Sequence, residues 1–116
     1  MLDKVPNGDA LIMKLSCLRA LEALGRRPGS TRFTNFVDVR NTAAMVGATD
    51  NEICVAIVRG TLRQMLRRGN NAEKAKEWRQ AKPVLEQLGV TDAHFRSAME
   101  ELKEAARTYY QPVPHF

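Results

Sequence analysis

The chain has 116 residues and little of what catalytic or secreted scaffolds usually carry. Two cysteines, Cys17 and Cys54, are too few for a disulfide framework, and their scarcity predicts a reducing, cytoplasmic setting. Neither His94 nor His115 has a cysteine or second histidine at ligand spacing, so no zinc motif is present. There is no glycine-rich phosphate loop and no serine elbow. The longest apolar stretch, Ala10 to Leu24, is broken by Lys14, Arg19 and Glu22, short of the roughly 18 apolar residues a membrane helix needs. These absences lead to the expectation of no enzyme activity, no metal, no cofactor and no membrane partner.

What remains is an ordinary globular composition, 44% apolar and 27% charged. A chain of this length buries enough surface to fold without staples. It is expected to form a single helical domain over residues 1–110, followed by a flexible, proline-bearing tail at 111–116. The fold class predicted is mainly α, with about five helices and either a short strand or an extended lead-in near residues 32–38.

The element signals run in order. Asp9 can cap a first helix from Ala10 to Leu24, with Leu11, Leu15, Leu18 and Leu21 at helical spacing and Gly25 as the stop. Ile12 and Met13 widen its apolar surface beyond that stripe, which points to more than one packing partner, a second chain among them. Pro28-Gly29-Ser30 marks a break. Residues Arg32 to Val39 are rich in β-favouring types without clean alternation. A short helix is expected from Asn41 to Val46, ended by Gly47.

Thr49-Asp50-Asn51-Glu52 is a capping box, and opens a helix to Arg68 in which Gly60 costs about 1 kcal/mol relative to alanine. Asn71 can cap a fourth helix to Leu88, with Ala75, Trp78, Ala81, Leu85 and Leu88 inward and Pro83 expected to kink or split it. Thr91 or Asp92 caps a fifth to Tyr109, with Phe95, Ala98, Met99, Leu102 and Ala106 on one face. Trp78 reads as a core anchor, and both cysteines as small buried hydrophobes. Gly47-Ala48-Thr49-Asp50 is echoed by Gly89-Val90-Thr91-Asp92, a pattern that either duplication or convergent helix punctuation produces.

The net charge of +5 is unevenly placed. Arg59, Arg63 and Arg67 are four apart, so they line one helix face, and Arg68 adds to its end. No acid occurs between Ile53 and Asn70. Arg26, Arg27, Arg32 and Arg40 form a second basic cluster. Guanidinium forks at such spacing suit phosphate oxygens, and a solvated face paired with acids from elsewhere is the plain alternative.

The segment Thr42 to Gly60 resembles the helix-turn-helix of small phage and bacterial repressors, with Ala43 at the close helix contact and Gly47 in the turn. By that resemblance Thr49, Asp50, Asn51 and Val55 would face bases in the major groove. The all-round apolar run Ile53 to Val58 better suits a buried helix. The chain therefore also resembles ribbon–helix–helix regulators, in which a strand from Arg32 to Val39 would offer Arg32, Thr34 and Asn35 to bases. Both resemblances imply a small, basic, dimeric transcriptional regulator of double-stranded DNA. Its contacts would come from Arg32, Thr34, Asn35, Arg40, Thr49, Asn51, Arg59, Arg63, Arg67 and Arg68. The competing expectation is a helical protein-interaction module that sets its arginine face against an acidic partner surface.

Overall fold

The structure is a computed structural model that describes residues 7–30 and 32–110. Five helices form: α1 (Asn7–Gly25), α2 (Phe33–Met45), α3 (Asp50–Leu66), α4 (Asn71–Gln87) and α5 (Asp92–Tyr110), with a single 3-10 turn at Pro28–Ser30 between α1 and α2. The mainly α expectation holds. Among the described residues there is no strand. The expected tail at 111–116 lies outside the described residues, as do the side chains of Tyr109 and Tyr110.

The expected strand at 32–38 and the short helix at 41–46 are one helix, α2. Phe36, Val39 and Ala43 recur at i, i+3 and i+7, and all three turn toward the core, Phe36 and Ala43 without exposed surface. Helical periodicity overrides the β-favouring side chains, because it is the period that buries Phe36. Other boundaries differ slightly. α1 begins at Asn7, so Asp9 sits in its first turn and does not cap it. Asn70, not Asn71, caps α4, accepting from the Glu73 amide at 2.8 Å. Pro83 does not split α4, which is continuous to Gln87. Ala75 and Ala106, both expected inward, are exposed.

The capping box of α3 forms as read: Glu52 N–H donates to Thr49 Oγ1 at 3.1 Å and Thr49 N–H to Glu52 Oε1 at 3.0 Å. The echo at Gly89 proves to be structural. α2 ends with Gly47 N–H donating to Ala44 O and Ala48 N–H to Ala43 O; α4 ends with Gly89 N–H donating to Glu86 O and Val90 N–H to Leu85 O. Each bond recurs 42 residues on, and both sets are Schellman closures, with the glycine at a φ of +94° and +89° respectively. Ala48 and Val90 bury themselves against the helix just ended. One half of the capping box has a counterpart at α5, where His94 Nδ1 takes the place of the Glu52 carboxylate and accepts from Thr91 N–H at 2.9 Å. Thus the α2–α3 and α4–α5 connections share one closure.

α3 lies at the centre. Residues Ile53 to Val58, with Gly60, Thr61 and Leu62, are all buried. It packs along α1 and α5, and also against α4 and α2. Lys14 reaches Glu52 at 2.9 Å and Glu22 reaches Arg59 at 2.8 Å, so α1 and α3 run parallel. Cys54 meets Gly89 just before α5, and Arg59 meets Glu101 further along, again 42 residues on, so α5 runs parallel too. The smallest extent of the molecule is 21 Å, about two helix diameters.

Two glycines set the α1–α3 distance. A Cβ on Gly60 would lie 1.9 Å from Glu22 O, and one on Gly25 would lie 2.0 Å from Ile57 O. Backbone meets backbone at this crossing. Thr61 Oγ1 donates to Gly25 O at 2.6 Å, which satisfies a carbonyl left over at the end of α1.

Candidate interaction surface

The arginine stripe is placed by α3 as its spacing predicts, but its charge is largely met inside the molecule. Arg59 Nε donates to Glu22 Oε1 of α1 at 2.8 Å, and its Nη1 to Glu101 Oε2 of α5 at 2.5 Å. Arg63 Nε lies 3.0 Å from the same Glu22 Oε1. Arg68 turns to α4 and pairs with Glu77, Nε to Oε1 at 2.8 Å. Arg67 is exposed. The plain alternative, a helix face paired with acids from other elements, describes three of the four.

Arg59 is the hub. Its side chain is 23% exposed and that of Glu22 is 17% exposed, so both are substantially desolvated. Burial alone would lower the arginine pKa; the hydrogen bonds from Glu22 and Glu101 outweigh it and hold the guanidinium above its ordinary value. The side chain therefore remains charged and ties three parallel helices together. Nothing local in the sequence points to Glu22 and Glu101 as its partners, since they lie 37 and 42 residues away.

The other expected contacts are dispersed. Arg32, Thr34 and Asn35 are exposed at the start of α2, in an extended residue and a first helical turn, so they do not form a ribbon. Thr49 and Asn51 lie beyond the other end of α2, where Thr49 is occupied in the capping box and Asn51 is exposed. Arg40 is half-buried, and its Nη1 donates to Leu88 O at 3.4 Å, at the carbonyl end of α4, where a cation is favoured.

α1, α3 and α5 enclose a groove. A cavity of 690 Å³ is lined by Asn51, Val55, Arg59, Arg96, Ser97 and Glu101, among others. A second, of 370 Å³, continues past Leu15, Leu18, Arg63 and Leu102. Leu18, Arg59 and Glu101 border both, so the two cavities meet at the Arg59 hub. Their walls mix leucines with charges of both signs.

Large apolar side chains are also exposed on α1: Ile12 at 62%, Leu11 at 53%, Met13 at 47% and Leu15 at 46%. Trp78 is half-buried against Phe95, with ring centroids 4.9 Å apart, which fits its reading as an anchor. Cys54 is buried and Cys17 half-buried, both as free thiols. Burial pushes the Cys54 thiol pKa up, Asp50 adds to the rise, and Arg40 opposes it.

Among the described residues no group of three or more His, Cys, Asp or Glu is placed to hold a metal ion, and no helix is long and apolar enough to cross a membrane. No family model, no curated protein and no solved structure matches the chain.

Proposed function

We propose that the protein is a helical protein-interaction module that receives a polypeptide segment in the groove along α3, between α1 and α5. The observation that carries this is the internal neutralisation of Arg59 and Arg63 by Glu22 and Glu101. A stripe meant for phosphate would keep its guanidinium groups open, because affinity for a nucleic-acid backbone comes from counterions released by unpaired cations. Here the guanidinium groups line a cavity that also offers Leu15, Leu18 and Leu102 beside charges of both signs. Such a lining suits an amphipathic polypeptide better than a uniformly anionic backbone.

The experiment pairs two measurements. A photo-crosslinking residue in place of Leu102 should yield adducts with a defined polypeptide in cell extract, whereas the same group in place of Lys76, on the exposed surface of α4, should not. Fluorescence anisotropy with mixed-sequence duplex DNA should show no binding that falls steeply between about 50 and 200 mM salt. Tight, salt-steep duplex binding that is lost in Arg32→Ala with Arg67→Ala would overturn the reading in favour of the DNA-binding regulator.

A further inference from the structure

The two ends of the parallel row α1–α3–α5 differ. The outer side of α5 carries Lys103, Glu104 and Arg107, all exposed, and Arg107 donates to Glu104 at 2.8 Å. That is the solvated end a stack of helical hairpins needs. The α1 end has no such cover. α1 turns Leu21 and Gly25 toward its neighbours, with Leu18 and Cys17 partly buried beside them. On the outer side of α1 lie Asp9, Ile12, Ser16 and Ala23, with Arg19 at the edge of that face, where it also borders the smaller cavity; all five are exposed and spaced 3, 4, 3 and 4 residues apart. This is the seam spacing by which one helix packs along another. Leu15 and Met13 flank the seam, each nearly half exposed, and Ile12 at its middle is 62% exposed.

We infer that this face is covered by α1 of a second copy, running antiparallel about a two-fold axis, so that the protein forms a homodimer. The charges of the seam select this occupant. With an axis near residue 14, Asp9 of one copy falls opposite Arg19 of the other, and Arg19 opposite Asp9. Ile12 falls opposite Ser16. Neither Asp9 nor Arg19 has an ion-pair partner within the chain among the described residues. Both pairs close at once because the interface is its own complement, so association stops at two. Ser16, Ala20 and Ala23 allow the backbones to approach. An interface of two short helices is small by the standard of stable complexes, which places the dissociation constant in the micromolar range, on the order of 10 to 100 µM. The dimer extends the interaction-module reading to a second surface. It is measured with no other partner present, so either can fail without the other.

The test is sedimentation equilibrium of the full chain from about 5 to 500 µM. Wild type should fit a monomer–dimer equilibrium. Asp9→Arg and Arg19→Asp should each weaken it about fivefold or more, since each reversal sets like charges together at both ends of the seam. The combined variant should recover the wild-type constant to within about twofold. Ile12→Glu should be monomeric throughout, with an unchanged far-UV circular dichroism spectrum to show that the fold is intact. A wild-type monomer at 500 µM, a dimer indifferent to Ile12→Glu, or single reversals that the double reversal does not rescue would each overturn the inference.

Discussion

At the residue scale, the positions that matter most are those where the usual ranking of side chains is inverted. Glycine inside a helix normally costs about 1 kcal/mol against alanine. At Gly60 the replacement would instead drive a methyl group into the Glu22 carbonyl, only 1.9 Å away. Gly60→Ala is therefore expected to destabilise the protein by about 2–4 kcal/mol, read as a lower midpoint in urea, with the loss concentrated in the α1–α3 crossing. The sequence displays Gly60 only as a weakness in a helix and Gly25 only as a stop. What turns both into contacts is the approach of Gly25 to Ile57 and of Gly60 to Glu22, 32 and 38 residues away, which no local pattern reveals. The cysteines invite a second measurement. Burial, with Asp50 nearby, raises the Cys54 thiol pKa, and its Sγ points at Gly89 O at 3.7 Å. Under native conditions a thiol reagent should modify Cys17 well before Cys54, and mass spectrometry of the first adduct would check the order.

At the scale of elements, the start of α3 was the most legible part of the chain. Thr49 and Glu52 announce a cap in four letters, and both reciprocal bonds form. The α2 region was misread because Phe33, Val37 and Val39 carry β preference, whereas burial of Phe36 with Ala43 needs a helical period. The cap also makes the start of α3 sensitive to acid. The bond from the Thr49 amide, with Lys14 beside it, holds the Glu52 carboxyl below its ordinary value. Its contribution to stability is thus full above the unfolded glutamate pKa, about 4.3, and is lost as the pH falls through the lower folded value. Glu52→Gln should flatten that part of the stability profile below about pH 4.5, while the wild type continues to lose stability there; urea melts across pH 2 to 6 provide the comparison.

At the scale of the whole molecule, the charge pattern was legible as a stripe but not as a destination. Arg59, Arg63 and Arg68 stand where the sequence places them, yet the acids that meet them come from α1, α4 and α5. A single helix face looks ready for phosphate until the neighbouring helices are docked against it. The 42-residue echo was legible as four letters, and its hydrogen-bond register shows it to be one helix closure used twice. The placement of α3 has a further consequence, in time rather than in space. α3 packs against all four of the other helices, and its residues Ile53 to Val58, with Gly60, Thr61 and Leu62, are buried. Its amide protons from Ile53 to Leu62 should exchange with deuterium only when the entire chain opens, at the rate of global unfolding, and those of the first half of α1 and the last turns of α5 orders of magnitude sooner. Protection spread evenly over all five helices would contradict this. The slowest clock in the molecule is thus its middle helix, and whatever binds in the groove beside it should reset the faster clocks at the two edges first.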